Sequence, residues 1–142
     1  MIRRFETQDL GTVMQIWLEG NLDAHPFIPA SFWTGHFETV RDMLPQAELY
    51  VHEDKDTRQI DGCIGLAENH IEGIFVAKAA RSKGIGKALL EYAKSRKPCL
   101  TLGVYQKNER ALAFYQREQF VVHSEGIDED TNEAEIQMLW TR

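Results

Sequence analysis

The chain has 142 residues, of which 43% are hydrophobic and 27% charged, with a formal net charge of −6. That size and balance suit one domain, residues 1–142, with a real apolar core, and the negative charge argues against a surface that wraps nucleic acid. The two cysteines are too few for a disulfide framework, no apolar run reaches membrane-spanning length, and Met1-Ile2-Arg3-Arg4-Phe5 is not followed by a signal-peptide core; a cytoplasmic location, with Cys63 and Cys99 as reduced core thiols, is expected.

Ile2 to Phe5 reads as a short strand. Thr7 can cap a helix whose Leu10, Val13, Met14, Trp17 and Leu18 recur at helical spacing, fading near Gly20. Asn21 to Ala30, with Pro26 and Pro29, reads as a loop. Ser31 can cap a second helix, with Phe32, Trp33, Phe37, Val40 and Leu44 inward, ending before Pro45. Glu48–His52 and Gln59–Ala67 follow as strands joined by a charged turn at Asp54-Lys55-Asp56, and Ile71–Ala77 is the next strand. Lys87 to Lys94 reads as a helix, with Ile85, Leu89, Tyr92 and Ala93 on one face, and Pro98 closes it. Cys99–Tyr105 is strand-like. Asn108 is a good N-cap for a helix with Ala111, Phe114 and Tyr115, and Phe120–Ser124 and Glu135–Trp140 form a last pair of strands. The order β-α-α-β-β-β-α-β-α-β-β predicts one mixed α/β domain without repeats or linkers.

The run Arg81-Ser82-Lys83-Gly84-Ile85-Gly86 carries the clearest chemistry. It joins a strand to a helix, where backbone N–H groups lack intrahelical partners and favour an anion. Gly84 and Gly86 remove the Cβ atoms that would hold a pyrophosphate away, and Arg81, Lys83 and Lys87 add positive charge. Neither G-x-G-x-x-G nor a P-loop is present: Gly86 is followed by Lys87-Ala88-Leu89, and Ala88 stands where a P-loop needs Ser or Thr. Coenzyme A is among the phosphate-bearing ligands that remain.

Residues 71–120 resemble the acyl-CoA-binding half of the GNAT N-acetyltransferase family. That family carries [Q/R]-x-x-G-x-[G/A] between its fourth strand and third helix, here Arg81 to Gly86 after Ile74-Phe75-Val76. About twenty residues on it carries a strand, an Asn turn and a helix reading A-x-x-[F/L]-Y; here these are Leu100–Val104, Asn108 and Ala111-Leu112-Ala113-Phe114-Tyr115. Ala24-His25-Pro26-Phe27-Ile28 further resembles a group of small bacterial members. Gln119 and Gly103 depart from the pattern. Gly is frequent at the first position. At the second many members have Glu, in some a catalytic base.

The resemblance implies a mostly antiparallel mixed sheet, flanked by about four helices and splayed between strands 4 and 5, with acetyl-CoA in the wedge and no metal. The pantetheine arm would pair with the backbone of Ile74, Phe75 and Val76, as an added strand does. The pyrophosphate would sit on the N–H groups of Lys83 to Lys87 at the helix N-terminus, with Arg81, Ser82, Asn108 and Phe114 also at the cofactor. Tyr115, at the family's tyrosine position, would protonate the leaving thiolate. For the acceptor amine, Glu72 ahead of His70 could take the proton; strand alternation puts both on the side of Ile74 and Val76 unless a bulge intervenes. His25 and Phe27, between the first two helices, would touch the acceptor, a small-molecule or protein amine. Glu125 to Glu135 reads as a solvated acidic hairpin or as a rim attracting cations. The expectation is an acetyl-CoA-dependent N-acetyltransferase, monomeric or homodimeric, using neither nucleic acid nor membrane. An acyl-CoA-binding module that has lost efficient catalysis stays open, favoured by Gly103 and opposed by Tyr115.

Overall fold

The computed structural model describes residues 1–142. In chain order, β1 (Ile2–Arg4) leads through a 3-10 turn to α1 (Leu10–Ala24) and α2 (Ala30–Met43). Next come β2 (Glu48–Glu53), β3 (Ile60–Ala67), β4 (His70–Val76) and α3 (Ile85–Arg96). β5 (Cys99–Tyr105), α4 (Glu109–Arg117), β6 (Val121–Asp128) and β7 (Glu133–Thr141) complete the chain. The predicted element order holds. Seven strands make one sheet ordered β1-β2-β3-β4-β5-β7-β6.

Strand alternation sorts the apolar residues onto two faces. On one, Tyr50, Ile64, Leu66, Ile71, Leu100, Leu102, Val104, Ile136 and Met138 pack with Ile85, Leu89, Leu90 and Ala93 of α3. On the other, Leu49, Val51 and Cys63 meet Val13 of α1, with Phe75 beside them. Cys63 is a free, buried thiol, which burial pushes up to about 12. Each fully buried Leu of α3 contributes roughly 2 kcal/mol of burial, which anchors that helix under the middle of the sheet.

All neighbouring strands are antiparallel except β4 and β5, which run parallel and share a single register pair, His70 with Thr101. The Thr101 N–H donates to the Asn69 carbonyl at 2.9 Å, and the His70 Nδ1 to Thr101 Oγ1 distance is 2.8 Å. Beyond that point the two strands part, as expected for the splayed sheet, and the β5-facing edge of β4 has no strand partner.

Several boundaries differ from the sequence reading. α1 runs through Gly20 to Ala24; a Cβ on Gly20 would lie 3.0 Å from Phe75 Cδ1, so Gly20 is a packing residue here and not a stop. The loop therefore shrinks to residues 25–29. α1 starts at Leu10 after a 3-10 turn in which the Glu6 N–H donates to Asp9 Oδ2 at 2.9 Å, replacing Thr7 as its start signal. α2 begins after Pro29 with no side-chain cap, so Ser31 lies inside it. α3 extends two residues beyond the predicted span at each end, and Glu125–Asp128 and Glu133–Glu135 belong to the final hairpin strands. The acidic turn itself spans only residues 129–132.

Candidate active site

The turn before α3 is wound by two left-handed residues, Ser82 (φ 66°) and Gly84 (φ 84°). Only Gly takes that angle freely, so Gly84 belongs directly before the helix. No side chain caps α3, and the N–H groups of its first turn have no partner within the helix. A Cβ on Gly86 would lie 3.8 Å from Phe114 Cζ and Val76 Cγ2, an ordinary contact. The protein's own packing thus does not demand glycine at 86, and the open helix end fits a phosphate. Lys83 and Lys87 are exposed beside it, while Ile85 is buried and offers only its backbone. The Arg81 side chain is engaged in the fold: Nε donates to the Val76 carbonyl at 3.2 Å and Nη1 pairs with Asp23 at 3.3 Å. Ile74 and Val76 pack on the larger core and Phe75 on the smaller, so these three present backbone to the opening.

Across the opening stands α4. Asn108 is its N-cap, accepting from the Ala111 N–H at 3.3 Å. The far end closes with the Phe120 N–H donating to the Tyr115 carbonyl at 2.9 Å and the Gln119 N–H to the Gln116 carbonyl at 3.2 Å. That pattern is a Schellman motif, and Gln119 takes its left-handed position at φ 78°. The position usually given to Gly thus keeps the left-handed backbone. The motif packs Tyr115 on Phe120 with ring centroids 5.7 Å apart, and Phe114 lies on its other side at 5.2 Å. Burial pushes the Tyr115 phenol up to about 12, so it keeps its proton near neutral pH.

The residues expected on the acceptor side lie on the other face of the sheet. Pairing between β3 and β4 slips so that Gly65 opposes Gly73 while Leu66 opposes Ile71, leaving Glu72 as the extra residue of a bulge. Glu72 keeps the face of His70, but Ile74 and Val76 go to the opposite face, against the simple alternation. Glu72 is exposed and His70 half-buried. His25 and Phe27 sit together over Tyr105, with ring centroids 5.1 and 5.8 Å from it, and His25 stacks on Trp33 at 5.3 Å. Burial draws His25 down to about 4, so its ring is neutral near pH 7. Its Nε2 lies 3.5 Å from Asn108 Nδ2, which links this loop to the cap of α4.

Two acidic residues join this face that the sequence reading assigned only to the hairpin. The Tyr105 hydroxyl donates to Asp128 Oδ2 at 2.6 Å. Glu135, opposite Tyr105 in register, accepts from Gln137 Nε2 at 2.8 Å. Burial, and after it Asp128, holds the Glu135 carboxyl above the usual carboxylate range, against the pull of Gln137 and His70. The alternation in Glu135-Ile136-Gln137-Met138 was the available signal, since it sets Glu135 opposite the core residues. Tyr115 and the His70–Glu135 group thus occupy opposite faces, and the gap between β4 and β5 connects them.

Residues 45–122 match a family model described as an acetyltransferase (GNAT) domain. The chain is 35% identical to the peptidyl-lysine N-acetyltransferase YiaC of Escherichia coli strain K12, over 99% of this chain and 96% of that protein. Among solved structures, apo-form YjaB from Escherichia coli superposes with a TM-score of 0.87 at 28% identity, covering 99% of this chain and 96% of that one. An acetyltransferase from Bacillus anthracis strain Ames, solved in complex with acetyl coenzyme A, matches 68% of this chain and 62% of its own, with a TM-score of 0.60 at 26% identity.

Proposed function

This chain belongs to the GNAT acetyltransferases, and from that premise we propose that it moves an acetyl group from acetyl-CoA to the side-chain amine of lysine residues in proteins. The observation that carries this reading is the parting of β4 and β5 after one residue pair, with an uncapped helix N-terminus on one side and Tyr115 on the other. The relative named a peptidyl-lysine N-acetyltransferase, aligned over nearly the full length of both chains, supports lysine as the acceptor. An acidic protein with carboxylates on the acceptor face suits a cationic amine.

The residues take the following roles. Backbone N–H groups from Ser82 to Lys87 hold the pyrophosphate, with Lys83 and Lys87 beside them. The unpaired edge at Ile74, Phe75 and Val76 holds the pantetheine amides, and a β4 N–H polarises the thioester carbonyl. Asn108 and Phe114 border this arm. Tyr115 protonates the departing thiolate, whose proton affinity resembles that of a cysteine, about 8.5. His25, Phe27 and His70 contact the acceptor, and the amine's proton goes to a carboxylate on that face, where Glu72 and Glu135 stand.

The test is acetyl transfer to four acceptor classes, namely lysine peptides, N-terminal amines, polyamines and aminoglycoside-like amines, with mass spectrometry of the products. Acetylation on lysine Nζ is expected. Transfer confined to another class would replace the acceptor assignment, and no CoA thiol release with any of them would remove the catalytic reading.

A further inference from the structure

We propose that Glu135 is the catalytic base of the acceptor side, receiving the proton that a cationic primary amine must lose before it attacks the thioester. This rests on the acetyl-transfer reading above. Glu135 belongs to β7, which pairs with β5, so it stands one strand away from the opening. What brings it to the cleft is Gly103. A Cβ built on that exposed glycine would lie 3.1 Å from Glu135 Cδ and Oε2 and 3.1 Å from Gln137 Nε2. The carboxyl group therefore leans over β5 into the space a residue-103 side chain would fill. Gln137 holds Oε1 at 2.8 Å, which fixes the group in orientation. Oε2, beside Gly103, accepts no hydrogen bond from the protein.

A general base works best when its proton affinity nears the working pH, which for a carboxyl group needs burial or a like charge nearby. Among the carboxylates on this face, Asp128 is engaged by the Tyr105 hydroxyl, Glu72 is exposed at the bulge and Glu135 is half-buried. The groups around Glu135 come from every neighbouring element. Asp128 of β6, bonded to Tyr105 of β5, raises its proton affinity, and His70 of β4 lowers it. His25, packed on Tyr105 from the α1–α2 loop, is neutral near pH 7. Glu133, two residues before it on β7, is paired with Lys107 at 3.0 Å.

The step balances as follows. Glu135 takes one proton from the ammonium, and the neutral nitrogen forms a C–N bond to the thioester carbonyl carbon. The C–S bond breaks with its electron pair on sulfur, which Tyr115 protonates. The second proton that nitrogen sheds on becoming an amide restores Tyr115 through water, and Glu135 releases its proton to solvent. The products are the acetyl amide, the CoA thiol and one proton.

The experiment compares kcat/KM against pH for wild type, Glu135→Gln and Glu72→Gln with one lysine peptide, alongside acetyl-CoA affinity by calorimetry. Below the proton affinity of Glu135 the carboxyl cannot accept, so wild-type kcat/KM falls as pH drops. Glu135→Gln is expected to lose that acid limb and about 10²-fold in rate while binding acetyl-CoA normally; Glu72→Gln should keep the limb. The reverse pattern, with Glu135→Gln matching wild type in rate and limb, overturns the proposal. If Glu135→Gln fails to bind acetyl-CoA, Glu135→Asp decides: a slower enzyme with its limb intact supports the role, and a wild-type rate overturns it. A wild-type protein that binds acetyl-CoA yet acetylates no amine removes the function reading and this proposal with it, an outcome distinct from a variant that behaves like wild type.

Discussion

Burial raises the Tyr115 phenol to about 12 and leaves it a donor across the whole neutral range. Its proton, not its ring, is the part the chemistry would use, because Phe120 and Phe114 already fill the space around it. Tyr115→Phe is therefore expected to fold and to bind acetyl-CoA as wild type does while kcat falls roughly 10²–10⁴-fold; steady-state kinetics on an acetylated peptide check this, and a change within twofold would make Tyr115 a packing residue. Four residues on, Gln119 holds a left-handed backbone at φ 78°. That conformation costs a non-Gly residue roughly 1–2 kcal/mol, and the extra freedom glycine brings to the unfolded chain returns roughly 0.5–1 of it. The first effect wins, so Gln119→Gly should raise stability by about 0.5–1 kcal/mol in urea unfolding, with no change of slope.

The turn between β4 and α3 is the element to which we assign donor binding. A Cβ on Gly84 would meet no atom within 4 Å, but valine there must adopt φ 84° and places a branched side chain before the open helix end. The expected result is a folded protein that loses at least about tenfold in acetyl-CoA affinity by calorimetry, or about 1.4 kcal/mol; unchanged affinity would put the phosphates elsewhere. This turn was legible from sequence because its signal is local: glycines, cations and a strand-to-helix switch within seven residues. Asn108 was legible for the same reason, as a cap acting within its own helix. The bulge at Glu72 was not, since it exists only in the slip between β3 and β4 and leaves no mark in either strand alone. Glu135 was hidden for a related reason. It was read as one acid in a charged run, and its meaning comes from a glycine on another strand, thirty-two positions earlier, that leaves room for it. The length of α1 escaped because Gly20 is a sequence stop signal that here accommodates Phe75.

At the scale of the molecule, the sheet consists of β1–β4 and β5–β7 joined at a single register pair, with α3 packed beneath. A ligand that seats in the wedge touches both parts and binds only the folded state. Acetyl-CoA at a hundred times its Kd should then stabilise the fold by about 2.7 kcal/mol and raise Tm by on the order of 10 °C. Thermal unfolding with and without the ligand measures this, and at the same ligand concentration Gly84→Val should lose about half of the shift or more; an equal shift in both proteins would mean binding outside the turn. The same join decides where the molecule is most open to water. Sheets ordinarily fray from their outer strands, whose peptide groups trade hydrogen for deuterium first. Here a central strand also carries an unpaired edge, so exchange will begin in the middle of the sheet as well as at β1 and β6.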